Sequence, residues 1–114
     1  MSQVQVPVSR RMQTQESARK ATEDKLELQH EEAIAAHKTG KLRAAEAKND
    51  LELVQAELKE VLAAPMQDED SANRLRAAEA KNEKESQDHA RVVARLAQRE
   101  ENTATALKKY KEKQ

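Results

Sequence analysis

Three histidines, a ridge of arginines and one threonine behind two basic residues are the side chains of this 114-residue chain that could do chemistry. His30 and His37 stand seven residues apart. On a helix that spacing shares one face but separates the rings by about 10 Å, too far for one metal ion. Glu27, His30 and Glu31 fall within about one turn and could converge, but solvation at the surface is the favoured reading of them. His89 has no partner pattern around it. Arg91, Arg95 and Arg99 recur at four-residue steps, a ridge suited to phosphates or to an acidic protein surface, although Glu100 and Glu101 dilute its charge. Arg19 and Lys20 precede Ala21 and Thr22, the order that basophilic kinases prefer. Thr22 is therefore the candidate phosphorylation site, where added charge at a helix start would stabilise that end or disturb a partner contact. The chain has no cysteine, no Gly-rich phosphate loop and no nucleophile motif, and its many carboxylates lack a folded pocket that could shift them. No catalytic residue, metal, cofactor or small-molecule substrate is expected. The reading is non-enzymatic.

Composition decides what must carry those side chains. Charged residues make up 37%, Phe and Trp are absent, and Tyr110 is the single aromatic. Much of the apolar 37% is Ala, and at ~25 cal/mol per Å² of apolar surface such residues build a poor globular core. One Gly and two Pro argue against a turn-rich β fold, while Ala, Glu, Lys, Arg, Gln and Leu favour helix. The fold class is all-α. Basic and acidic residues balance at 21 each, which argues against a nucleic-acid partner, because such proteins usually carry a basic excess. No apolar run approaches the ~20 residues of a membrane span, and the start lacks the apolar core of a signal peptide. With no cysteine, the expectation is a soluble, cytoplasmic chain.

Along the chain, residues 1–13 stand apart. Val4, Val6 and Val8 alternate with polar residues around Pro7, a pattern for a non-helical arm that is either disordered or adds as a strand to a partner's sheet edge. A first long helix is expected over 14–64, starting near Thr14 to Thr22, with Glu23 and Asp24 at its positive end. Gly40 is a weak point inside it. Pro65 breaks the pattern, and residues 65–68 lead into a second helix over 69–113 that Asp68, Glu69, Asp70 and Ser71 can cap. Lysines near its end suit the negative pole of the helix dipole. Two architectures follow: one long extended helix kinked or broken at Pro65, or an antiparallel helical hairpin. The connection has no Gly to turn on, so the kinked rod is the expected form.

The apolar stripe is thin. Leu51, Val54, Leu58 and Val61 step as a heptad seam that runs back through Ala47, Ala44, Gly40, His37, Ala33 and His30 to Leu26. The corresponding register of the second helix is Leu75, Ala78, Asn82, Glu85, His89, Val92, Leu96, Arg99, Thr103, Ala106 and Tyr110. Half of those are polar, which leaves room for weak self-association only. An eleven-residue step, Val93 to Ala104 and Leu96 to Leu107, fits a nearly straight helix lying along another protein.

An internal duplication runs through both halves. Residues 41–50 (Lys-Leu-Arg-Ala-Ala-Glu-Ala-Lys-Asn-Asp) return 33 positions later as 74–83, with eight identities and two charge-conserving changes. In the second half, Glu79 and Ala80 lead through eleven mostly polar and charged residues to Val92 and Val93, followed by Ala94, Arg95, Leu96 and a charged run to Lys113. That stretch, and the Leu42 to Glu46 start of the first copy, resembles the stathmin family of tubulin-binding helices. The resemblance implies a long helix lying along tubulin heterodimers, sequestering tubulin and regulating microtubule dynamics, in a cytoskeletal setting. Leu42, Leu51, Val54, Leu58, Leu75, Val92, Val93, Leu96 and Leu107 would carry the contact area to such a partner, with Arg91 and Arg95 setting register. The alternative is a structural coiled-coil rod or helical-hairpin homo-oligomer acting as a scaffold.

Overall fold

The computed structural model describes the backbone of residues 2–66 and 68–113, and the side chains of 14–66 and 68–113. Two helices account for it: α1, Ser2–Ala63, and α2, Glu69–Glu112. No strand occurs among the described residues, so the chain is all-α as composition requires. Helix α1 is assigned from Ser2 and so takes in the stretch expected as a non-helical arm. From residue 8 to residue 39 there is no Gly or Pro, so local propensity carries the helix backwards as far as residue 8, and Pro7 is the one breaker that the assigned span includes. The side chains of 1–13 lie outside the described residues, and with them the strand-edge role of Val4, Val6 and Val8.

The break falls at Pro65, for the reason the sequence offers. A proline disfavours helical backbone in the residue before it and supplies no N–H. Ala64 accordingly leaves α1 with its N–H bonded only three residues back, to the Val61 carbonyl at 3.3 Å. Helix α2 then starts on Asp68. Its Oδ1 accepts from the backbone N–H of Asp70 (3.1 Å) and of Ser71 (3.4 Å), and its Oδ2 accepts from the Ser71 hydroxyl (2.8 Å). The Ala72 N–H closes the first turn on the Asp68 carbonyl at 3.0 Å. These bonds satisfy donors that the first turn of a helix leaves free. Glu69 and Asp70 add charge of the favourable sign there, and Lys109 and Lys111 do so at the far end.

The chain forms two compact units, Met1–Ala35 with Arg99–Gln114, and Ala36–Gln98. In the second unit, Val61 and Leu62 share a surface cleft with Ala72 and Arg76, while Gly40 packs against Val93 and Leu96. As α1 is followed backwards, α2 is met further forwards, so the two segments are antiparallel and the unit is a helical hairpin. In the first unit, Arg19 meets Tyr110 and His30 meets Thr103, again antiparallel. The kinked rod is therefore replaced by its alternative. Ala64, Pro65, Met66 and Asp68 take no positive φ, so none of these four positions calls for glycine. What drives the pairing is that neither thin stripe could stay dry alone.

Candidate functional site

The candidate partner-binding residues divide by which side of the helices they occupy. On α1 in the second unit, the seam is the one the heptad spacing marks: Ala44, Ala47, Leu51, Val54, Leu58 and Val61 are half-buried and Gly40 is buried. On α2 the seam corrects the expected register at alternate steps. Ser86 and Val93 are half-buried in the second unit and Glu100 and Leu107 in the first, while Glu85, Val92, Arg99 and Ala106 are exposed. The shift of one residue brings Leu107 inward in place of Ala106 and exchanges Val92 for Val93, a gain in buried apolar area, while Ser86 and Glu100 take the half-buried places that Glu85 and Arg99 leave. Leu75, Asn82, His89, Leu96, Thr103 and Tyr110 lie on the half-buried face as that register requires.

Leu51, Val54, Leu58, Leu75, Val93, Leu96 and Leu107 are thus half-buried where α1 and α2 pair. Leu42 and Val92 remain 60% and 38% exposed, and Arg91 and Arg95 point to solvent. Arg91 makes an exposed ion pair with Asp88 at 3.8 Å. Leu53, 64% exposed, is an outward-facing leucine that the heptad spacing does not mark, because it lies off the seam. Eleven residues separate it from Leu42, which puts the two within about 20° of each other around α1, some 16 Å apart along its axis.

The duplicated phrase is used in two different ways. In copy 41–50 the half-buried positions are Ala44 and Ala47, and its leucine faces out. In copy 74–83 they are Leu75, Ala78, Glu79 and Asn82, and the alanines equivalent to Ala44 and Ala47 are exposed. One sequence thus presents two different faces to its neighbour.

Polar contacts organise the first unit. His30 Nδ1 lies 2.8 Å from Thr103 Oγ1, and the Thr103 hydroxyl also reaches the Glu100 carbonyl at 2.9 Å. A hydroxyl has one hydrogen; given to Glu100, it leaves the oxygen to accept from His30 Nδ1–H. His30 is therefore half-buried and bonded rather than a solvated surface side chain. The Tyr110 hydroxyl donates to the Arg19 carbonyl at 3.1 Å. Lys111 stands 3.9 Å from Glu23 and 3.6 Å from Glu27. His30, Thr103 and Tyr110 all occupy seam positions of the heptad count; a polar side chain at such a position calls for a partner, and that was the available signal. An open groove of about 410 Å³ flanks this pairing, lined by His30, Ala104, Leu107 and Lys108 with Lys111 and Glu112.

Thr22 lies inside α1 rather than at its start, and its exposed hydroxyl donates to the Ala18 carbonyl at 3.0 Å. Nearby, the Arg19 guanidinium is held protonated by its hydrogen bond to Glu16 and by that carboxylate's charge. Asp68 is pulled below the usual carboxylate value, first by the Ser71 hydroxyl and then by the Ser71 and Asp70 N–H groups. Among the described residues, no group of three or more His, Cys, Asp or Glu is placed to hold a metal ion. None of the described helices is long and apolar enough to cross a membrane. The chain matches no family model, no curated protein and no solved structure.

Proposed function

We propose that this chain is a non-enzymatic, cytoplasmic protein-interaction module built from paired helices, which meets its partner through the outward side of α1 in the second unit. The observation that carries the reading is the exposure of Leu42 and Leu53 on a side of α1 turned away from the half-buried seam. Large aliphatic side chains on one line of a helix, flanked by charge, are what a partner helix or groove recognises. Lys38, Lys41 and Arg43 at one end of that line and Asp50, Glu52 and Glu57 at the other give it a direction, which favours one docking orientation over its reverse.

The sharper form of this proposal is tubulin binding of the stathmin kind, to which the exposed Val92, Arg91 and Arg95 lend support as a second outward patch. That form asks more of the chain: Val93, Leu96 and Leu107 would engage tubulin only after separating from α1. Sedimentation velocity of the purified chain with and without tubulin tests it. A larger complex that weakens when Leu42 and Leu53 are both replaced by Ala supports the module and its named partner. Sedimentation unchanged by tubulin removes the tubulin form and leaves a scaffold that pairs with other helices.

A further inference from the structure

We infer that α2 is exchangeable between two copies of this chain, giving a dimer in which α1 of each copy pairs with α2 of the other. The inference rests on where the pairing contacts are and where they are not. In the second unit the helices meet through small and aliphatic side chains, Gly40 against Val93 and Leu96 among them. In the first they meet through His30 and Thr103, Tyr110 and the Arg19 carbonyl, and Lys111 with Glu23 and Glu27. All of these join α1 to α2, and each is satisfied equally well by an α2 from a second copy.

The described residues of the connection add little that would favour the closed chain. Pro65 is exposed and Met66 is 91% exposed. The hydrogen bonds of its described residues stay local, from Ala64 to Val61 and from Asp68 into the first turn of α2. Proline also holds Ala64 towards extended backbone, the conformation an opened connection needs. Where the same contacts form within a chain or between chains, only closure of the connection and protein concentration set the balance, and short connections shift it towards exchange. The partner is thus a second copy, recognised by the same side chains that hold the single chain. This holds whatever other protein the exposed side of α1 engages.

The test uses the full chain, whose lack of cysteine makes it a clean host for two introduced ones. The wild type is refolded from urea at about 10 μM and about 1 mM, and its mass is followed by light scattering after gel filtration. The expected result is a dimer fraction that rises with concentration and falls when five Gly and Ser residues are inserted after Met66, since a short hinge invites exchange and a longer one favours closure within one chain. His30→Cys with Thr103→Cys then reports the pairing: on oxidation, or with a short bis-maleimide, isolated dimers should run as covalent dimers and monomers as covalent monomers. Circular dichroism checks that the variant keeps its helix. A wild type that stays monomeric at the higher concentration overturns the inference. So does a dimer whose cross-links all lie within one chain, because that dimer is formed by another surface.

Discussion

Replacing Gly40 with Ala sets two effects of similar size against each other, and the structure determines which background reveals each. Alanine in place of glycine inside a helix gains about 1 kcal/mol from backbone entropy. Against this, a Cβ at position 40 would lie 2.7 Å from Leu96 Cδ1 and 3.8 Å from Val93 Cγ2. Carbon atoms prefer about 3.5 to 4.0 Å, so the Leu96 methyl must retreat by about 1 Å. It is the far end of a flexible side chain, and the displacement costs about 0.5–1.5 kcal/mol as an off-rotamer adjustment. Gly40→Ala alone should therefore change stability by less than about 0.5 kcal/mol in either direction. In a Leu96→Ala background the obstruction is gone, and the same substitution should recover most of the ~1 kcal/mol. The coupling in this double-mutant cycle is then about 1 kcal/mol. Urea unfolding of the four proteins, followed by circular dichroism and fitted with a common slope, measures it. If Gly40→Ala stabilises both backgrounds by the same ~1 kcal/mol, Leu96 does not lie on Gly40, and the antiparallel pairing of the second unit is refuted.

Two further predictions concern single contacts. Tyr110→Phe keeps the ring and removes only the hydroxyl that donates to the Arg19 carbonyl at 3.1 Å, so the loss should be about 0.5–1 kcal/mol by urea unfolding; no loss would mean that the bond does not hold the first unit together. Asp68 has its folded value lowered from 3.8 by Ser71 and Asp70, so its contribution is present above that ordinary value and fades as pH falls through the lowered one. Wild type should exceed Asp68→Asn in urea midpoint near neutral pH, with the gap closing in acid; a gap that does not depend on pH would contradict the cap.

Local chemistry made much of this legible in advance. Pro65 marks the end of α1 because its ring acts on its immediate neighbour, and Asp68 marks the start of α2 because a cap bonds within one turn. The α1 seam could be read because Leu51, Val54, Leu58 and Val61 are bulky and evenly stepped. The α2 seam could not, since Ala, Asn, Ser, His and Val offer nearly equal apolar content in two registers one residue apart. The outward candidates were harder still: Leu42 belongs to the duplicated phrase, yet it is exposed while its equivalent, Leu75, is half-buried.

That contrast divides what the sequence by itself determined from what the tertiary structure decided. Helix content, the break and the charge at each end of α2 depend on neighbours within four residues, so the sequence alone determines them. Whether the chain reverses, which way α2 rotates about its axis, and that His30 finds Thr103 or Tyr110 finds Arg19 depend on surfaces 73 and 91 residues apart. Only the packing of one helix on the other selects among rotations that differ by a single residue, because until they meet no such rotation has a free-energy advantage.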